Sequence, residues 1–337
     1  IFFVERGAAA LAHGDMSLLL FSDSEAAALE QEYTHLISAF PLLEAGKLSA
    51  LGTLSEAFKD ESDFEIRLEA LIGKFYGKLK TETSVHLRNT YSNKLLQLKK
   101  VRTALIMAQK ASPIREKPFG VLIFGPSAVG KSAINATVVK TLLHHNGYSS
   151  SKENVVTLND SDKYQSEYRA CHNAVTMDDF GNTKSEHYDG APTAKIIDFL
   201  NNVPKAALNP NVELKGNVMI QPKIVTVTTN VKDLLAGTFS NEPVSILRCF
   251  DVVLDVKIKD DCRDPETGGV DPTKMNSYIP DVWSITLQRV KIVRSQMRDQ
   301  YKFENILENA SLFQCLEKMK EISENHFRLQ KLFVRRV

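Results

Sequence analysis

The segment Gly125-Pro126-Ser127-Ala128-Val129-Gly130-Lys131-Ser132 constrains this chain more than any other stretch. It follows the apolar run FGVLIF at 119–124 and precedes a helix-forming stretch at about 131–145. The pattern is G-x-x-x-x-G-K-[ST], a glycine-rich turn between a buried strand and a helix. Its glycines let the loop curl so that backbone N–H groups point inward. The helix that begins where the loop ends aims its positive pole at the same place. Such a loop wraps phosphate. Lys131 then reaches the β- and γ-phosphates of a nucleotide, and the Ser132 hydroxyl binds Mg2+. The bland alternative is a glycine-rich turn that happens to precede Lys131, and the strand–loop–helix context weighs against it.

A phosphate loop needs an acid on a second strand to complete the Mg2+ shell. The stretch AVTMDDFGN at 174–182 supplies a short apolar run that ends in Asp178 and Asp179. Adjacent like charges at the end of a buried strand are costly unless a cation faces them. Asp178 sits where ligands gather in open α/β sheets, at a strand's carboxyl end, and is the metal-side acid. Asp179 is the candidate base or orienter of an attacking water. A third apolar run, IVTVTT at 224–229, ends in Asn230. A neutral amide there can bond both the γ-phosphate and the water, although a lone asparagine at a strand end is commonly just a turn residue. Arg248, in SILRCFD, is a candidate for stabilising transition-state charge in a neighbouring subunit's site. Its plainer alternative is a surface salt bridge with Asp251 or Glu242.

Four zones organise the chain. Residues 1–60 are rich in Ala, Leu and Glu, with breaks at Pro41, Gly46 and Gly52, and read as short helices. Residues 61–112 form a longer, basic helical region. Leu68, Leu71, Ile72, Phe75 and Leu79 recur at helical spacing, as do Leu87, Tyr91, Leu95, Leu98 and Leu105. Ser112 and Pro113 mark its stop. From Lys74 to Lys117 the cations, among them Lys94, Arg102 and Arg115, outnumber the acids, which suggests either a solvated face or a surface for RNA or anionic lipid. Residues 113–260 hold apolar runs at 119–124, 154–158, 174–177, 223–229 and 250–258, separated by helices or long connections. That alternation argues α/β with a mostly parallel sheet. Residues 261–337 return to helix from about 281. Leu312, Phe313, Leu316, Met319, Ile322, Leu329 and Phe333 form a stripe that must be buried on this domain or on a neighbouring subunit.

Composition narrows this further. The chain has 337 residues with 43% hydrophobic and 25% charged, which is ordinary for a globular protein. A net charge of +1 gives no global argument for nucleic acid, so any basic surface is local. Cys171, Cys249, Cys262 and Cys315 are scattered and predict reduced thiols in a cytosolic compartment. No apolar run approaches the ~20 residues of a membrane-spanning helix; the run at 18–21 is far shorter. No signal-peptide pattern is present. The first residue is Ile1, which suggests a trimmed chain or a product cut from a longer one.

The ordered set GPSAVGKS, MDDFGN, VPKAALNPNVELKGN with VTVTTN, and LRCFD resembles the superfamily 3 helicases, the compact AAA+ ATPases of small viruses. It is most similar to the picornavirus-type helicase of positive-strand RNA viruses. DKYQSEYR, PDVW and HFRLQ give it the look of the dicistrovirus and iflavirus branch. The resemblance implies ATP and Mg2+ as cofactors, with residues 125–132 as the nucleotide loop. It makes Asp178 the metal acid, Asp179 the water-side acid, Asn230 the sensor and Arg248 a finger acting across a homo-oligomeric, hexameric ring. It places Lys205 and Lys215 in a pore-lining segment that contacts single-stranded RNA. It also implies other viral replication proteins as partners and a place in the host cytoplasm, at virus-induced membranous replication complexes. Three departures limit it. Cys249 stands where many relatives carry a second arginine, and Cys262 stands alone where enteroviral members carry a zinc segment, so a zinc role does not carry over. Relatives reach membranes through an N-terminal amphipathic helix, and no clear one follows Ile1. Three other readings compete with the helicase: an ATPase that acts as an RNA or protein chaperone, a non-enzymatic scaffold, and a DNA-virus replication initiator. The last would bring an H-x-H pair, whereas the chain has the adjacent His144 and His145. A scaffold has no need of Lys131, Asp178 and Asn230 in order.

Overall fold

A computed structural model describes residues 24–47, 51, 58, 61–159, 161–182, 191–211, 215–294 and 299–334. The apolar run at 18–21, the break at Gly52 and residues 212–214 of the lysine-bearing segment lie outside the described residues. The chain divides into two compact units, Ile1–Ser112 and Pro113–Val337.

The first unit is helical: α1 (Ser24–Ser38), α2 (Phe40–Glu44), α3 (Glu61–Thr81) and α4 (Val85–Ala111). Its core gathers Leu36, Leu43, Phe64, Leu68, Leu71, Phe75, Leu95 and Leu98. These include the apolar positions whose spacing predicts the helices. Helix α4 stops because Ser112 is extended (φ −63°, ψ 132°), the conformation that a following proline imposes. The expected basic face is smaller than the sequence suggests. Lys94 is buried and paired with Glu30, and Arg102 pairs with Glu69 at 2.7 Å. Acids distant in sequence neutralise these cations, so a count along one stretch overstates the charge.

Arg115 and Lys117 belong to the second unit, where neither is a free surface cation. Arg115 is buried and donates to the carbonyls of Asp198 (2.7 Å), Phe199 (3.1 Å) and Ile220. Burial lowers its pKa to about 10. Lys117 donates to both oxygens of Asp251 at 3.0 Å.

The second unit is α/β and is built on a seven-stranded sheet of order β2-β3-β4-β1-β5-β6-β7. The strands are β1 (Phe119–Phe124), β2 (Val155–Leu158), β3 (Ala174–Phe180), β4 (Ile224–Thr229), β5 (Val252–Ile258), β6 (Trp283–Val293) and β7 (Gln300–Ala310). The first five are parallel. Helices cover both faces, so these strands are buried on both sides: β1 reads as a nearly continuous apolar run, and β4 buries all six of its residues although three are threonines. On one face lies α5 (Lys131–His145), with Ile134, Val138 and Leu142 inward, together with α9 (Leu312–Val334). On the other lie α6 (Thr193–Leu200) and α8 (Val244–Leu247), with Ile196, Phe199, Ile246 and Leu247 inward; α7 (Ala236–Phe239) precedes α8. The sheet arrangement is that of a P-loop NTPase fold, with β1 between β4 and β5 and its carboxyl end at the centre of the sheet.

The region after 260 corrects the sequence reading. Residues 283–293 and 300–310 are not helical. They form an antiparallel hairpin, β6 and β7, that extends the same sheet beyond β5. Trp283, Ile285 and Leu287 are buried at every second position, the period of a strand with one covered face. Helix begins only at Leu312. In α9 the predicted stripe divides. Leu312, Leu316 and Met319 are buried with Cys315 and Phe327 against this unit's own sheet, while Phe313, Leu329 and Phe333 are exposed. The buried face follows 312, 315, 316, 319, 323, 326 and 327, so it admits Ser323 and His326 in place of three apolar residues.

His326 ties α9 to the mouth of β5. One ring nitrogen lies 2.8 Å from the Lys117 carbonyl, and the other 3.3 Å from Asp251. Asp251 also accepts from the Gly120 N–H at 2.8 Å. Burial pushes the Asp251 carboxyl up. The His326 hydrogen bond, the Lys117 charge and the Gly120 N–H outweigh that and hold it below the ordinary carboxylate range.

Candidate nucleotide-binding site

The loop 125–132 leaves β1 at the centre of the sheet and becomes α5. Two left-handed residues shape it: Ala128 at φ 61° and Gly130 at φ 86°. Gly125 is required by contact, because a Cβ there would lie 2.9 Å from the Val256 carbonyl. Helix α5 starts at Lys131 with no acid in its first turn, so no side chain of its own occupies its positive pole. The Lys131 side chain is only 8% exposed and folds back over the loop. Its ammonium donates to the carbonyls of Gly125 (3.1 Å) and Pro126 (3.0 Å) and to Asn230 Oδ1 (2.5 Å). Burial pushes its pKa down, against the opposing pull of Asp179 and Asp178.

The acids arrive on β3, the second strand from β1. Its register against β4 shifts between Met177 and Phe180, and Asp179 takes φ 51°. This irregularity turns both carboxylates outward at the end of a strand that is otherwise buried. Thr228 of β4 fixes them differently. Its hydroxyl donates to Asp178 Oδ1 (2.5 Å) and accepts from the Asp179 N–H (2.9 Å). The Ser132 hydroxyl approaches Asp178 Oδ2 at 3.5 Å. Asp178 is therefore tied to the loop and to β4, whereas the Asp179 carboxylate has no hydrogen-bond partner among the described residues. Asn230 completes the cluster. Its Nδ2 donates to Asn182 Oδ1 at 2.9 Å and lies 3.5 Å from the Ser127 hydroxyl, while its Oδ1 accepts from the Lys131 ammonium.

Lys131, Ser132, Asp178, Asp179 and Asn230 thus converge at the carboxyl ends of β1, β3 and β4. The oxygens of Ser132 and Asp178 are hard donors on one exposed edge. One hydroxyl and one carboxylate fit an ion such as Mg2+, which keeps several waters and takes its other ligands from phosphate. Arg248, Lys205 and Lys215 do not join this cluster. Arg248 is exposed at the end of α8, and its candidate partner Asp251 is engaged by Lys117 and His326. Lys205 pairs with Asp198 at 2.5 Å, and Lys215 is exposed in a turn.

Two residues of the site escape the sequence reading. Thr228 is one. Its signal is present, because Thr226 and Thr228 recur at period two in an apolar strand and so share a face. Thr226 bonds Thr176 at 3.2 Å beneath the site. Trp283 is the other. Its indole N–H donates to the Val129 carbonyl at 2.7 Å, across 154 residues of chain, and no local pattern announces that contact.

Residues 121–231 match the RNA helicase family. That span holds the loop, both aspartates, Thr228 and Asn230, and it stops before Arg248 and the β6–β7 hairpin. The chain is also similar to the RNA1 polyprotein of Tobacco ringspot virus, with 30% identity over 169 residues. Those residues are 48% of this chain and 7% of the polyprotein, so the chain spans a small fraction of that relative's length. Both matches agree with the helicase resemblance that the motifs carry. Neither bears on the dicistrovirus and iflavirus branch.

Proposed function

We propose that this chain is a viral nonstructural ATPase of the superfamily 3 helicase type, which hydrolyses ATP to move on or remodel single-stranded RNA during genome replication. The observation that carries this reading is the hydrogen-bonded cluster of Lys131, Asn230, Asp178 and Thr228 around the glycine loop. In this reading the loop N–H groups and the α5 terminus hold the phosphates. Lys131 exchanges its loop carbonyls for β- and γ-phosphate oxygens. Ser132 and Asp178 hold Mg2+, which when bound supplies charge neutralisation between the phosphates. Asp179, exposed and with no hydrogen-bond partner for its carboxylate among the described residues, accepts the proton of the attacking water. Asn230 leaves Lys131 to orient that water against the γ-phosphate. Products are ADP and phosphate, and the water's proton passes through Asp179 to solvent.

Arg248 acts on the nucleotide of an adjacent subunit in a homo-oligomeric ring, a hexamer. Its exposure, and its separation from the Lys131 cluster of its own chain, support this. Lys205 and Lys215 contact RNA through charge rather than base identity, with Lys205 exchanging Asp198 for phosphate. Other viral replication proteins are partners, and the site of action is the host cytoplasm at membranous replication complexes.

The test is ATP turnover with Mg2+, with and without RNA, followed by strand separation of a tailed RNA duplex with ATP and with a non-hydrolysable analogue. RNA-stimulated turnover and ATP-dependent separation are expected. Equal separation with both nucleotides would remove translocation and leave an ATP-driven chaperone. Absence of ATP turnover in the folded, assembled protein would remove the ATPase itself.

A further inference from the structure

The nucleotide loop is braced from outside by groups that lie beyond the helicase-family span. Two of its carbonyls point away from the concave side and are each held by one donor. The Val129 carbonyl takes the Trp283 indole N–H at 2.7 Å, and the Ala128 carbonyl takes the Val270 N–H at 3.2 Å. A trans peptide sets its C=O and N–H in opposite directions. Fixing the Ala128 carbonyl outward therefore aims the Val129 N–H inward, and fixing the Val129 carbonyl does the same for the Gly130 N–H. These are N–H groups of the kind a phosphate loop offers to its anion. A peptide flip at either position would present a carbonyl to the phosphate instead.

The braces are themselves rigid. Trp283 is 1% exposed and is the first residue of β6, paired with Ile258 at the end of β5. Its ring lies against Gly130, where a Cβ would come 3.1 Å from the indole. Val270 follows a turn closed by Asp264, whose side chain accepts from the N–H groups of Glu266 (2.8 Å) and Thr267 (3.1 Å). Within that turn a Cβ on Gly269 would stand 3.1 Å from Ala128, so the turn sits in direct contact with the loop.

We propose that Trp283 and the Val270 amide are positioning groups that orient the phosphate-binding N–H groups of the loop and so set its affinity for nucleotide. This rests on the nucleotide reading of the site. Neither group touches the nucleotide, and both act through peptide planes.

The experiment uses the full chain and two replacements. Trp283→Phe removes the donor and part of the ring. Benzothienylalanine at position 283 keeps the indole shape and removes only the N–H. ATP affinity with Mg2+ is measured by calorimetry, with steady-state KM and kcat and a thermal melt alongside. Both variants are expected to bind ATP about tenfold more weakly, the factor that one hydrogen bond of ordinary strength represents. The change falls on KM rather than kcat, because the water-side groups are untouched. A purely structural role would lower the melting temperature and the active fraction without moving KM. The proposal is overturned if the benzothienylalanine variant folds and binds ATP like the unmodified chain. If Trp283→Phe fails to fold, the isosteric variant decides alone. If the unmodified chain binds no ATP, the nucleotide reading falls, and this proposal with it.

Discussion

The loop at the end of β1 and the turn that carries Arg248 lead to the same sheet but are built in opposite ways. On the loop side, the side chains of Lys131 and Asp178 and two loop carbonyls are answered within the chain. Lys131 has three acceptors, the carbonyls of Ala128 and Val129 have donors from beyond β5, and Asp178 has Thr228. At Arg248 the backbone N–H is held by the Val244 carbonyl, but the guanidinium has no hydrogen-bond or ion-pair partner among the described residues. Asp251, three residues on, is locked behind it by Lys117, His326 and Gly120. A group that works on a ligand bound by its own chain can be pre-organised by neighbours. A group that works on another subunit's ligand must be presented outward on a firm base. Substitutions on the two sides should therefore fail differently.

The largest effect is expected at Arg248. Arg248→Ala should lower ATP turnover by about 10³, within the range found for arginine fingers elsewhere, with ATP affinity nearly unchanged. Lys131→Ala should also lose turnover, but through its own subunit's phosphates. Mixing the two inactive proteins should restore part of the activity, because some interfaces then pair an intact loop with an intact Arg248. A mixture that stays inactive, while both proteins fold and associate, would break the comparison at its centre.

The two aspartates divide the loop side further. Asp179→Asn should stop hydrolysis by roughly 10²–10³, typical of losing a general base, and leave nucleotide binding largely intact. Asp178→Asn should instead raise the Mg2+ concentration needed for nucleotide binding. Identical behaviour of the two variants would show that the split drawn from Thr228 has no functional content.

Most of this site is legible in the sequence because its signals are local. The glycine spacing, the apolar run before it and the strand-terminal Asp178, Asp179 and Asn230 each depend on a few neighbouring residues, and the parallel strands announce themselves as short runs rich in β-branched residues. The parts that cannot be read there depend on distant chain. Trp283 reaches the loop from 154 residues away. The β6–β7 hairpin alternates weakly because its outer half, with Ile292 and Val293 exposed, lies at the sheet's edge, so the stronger helical stripe that follows obscures it. Arg115 looks like a surface cation in sequence because nothing local reveals the three carbonyls that surround it.

Thr228→Val tests whether the shared hydroxyl, and not only the acids, organises the loop side. The replacement keeps the branched shape and removes one donor and one acceptor. It should raise the KM for Mg2+-ATP about tenfold, in line with the loss of a hydrogen bond to a charged group. An unchanged KM in a folded variant would reduce Thr228 to a strand residue.

The smallest effect is expected on the Arg248 side, and it concerns stability rather than turnover. Asp251→Asn keeps the size of the side chain and removes the charge that Lys117 and His326 share. It should cost about 1–3 kcal/mol at neutral pH, as expected for weakening a partly buried, hydrogen-bonded ion pair. The sign of its pH dependence follows from the lowered carboxyl of Asp251. A group whose folded pKa lies below its unfolded value stabilises above the unfolded value, ordinarily 3.8 for this residue, and loses that contribution as pH falls through the folded one. The gap in unfolding free energy between the unmodified chain and Asp251→Asn should therefore be present above about pH 5 and close progressively below it. ATP affinity, set at the opposite end of β1, should not move with it. A gap that persists in acid would mean that the asparagine is costly through its shape or lost acceptor. A parallel loss of ATP affinity would mean that the two ends of β1 are not built independently.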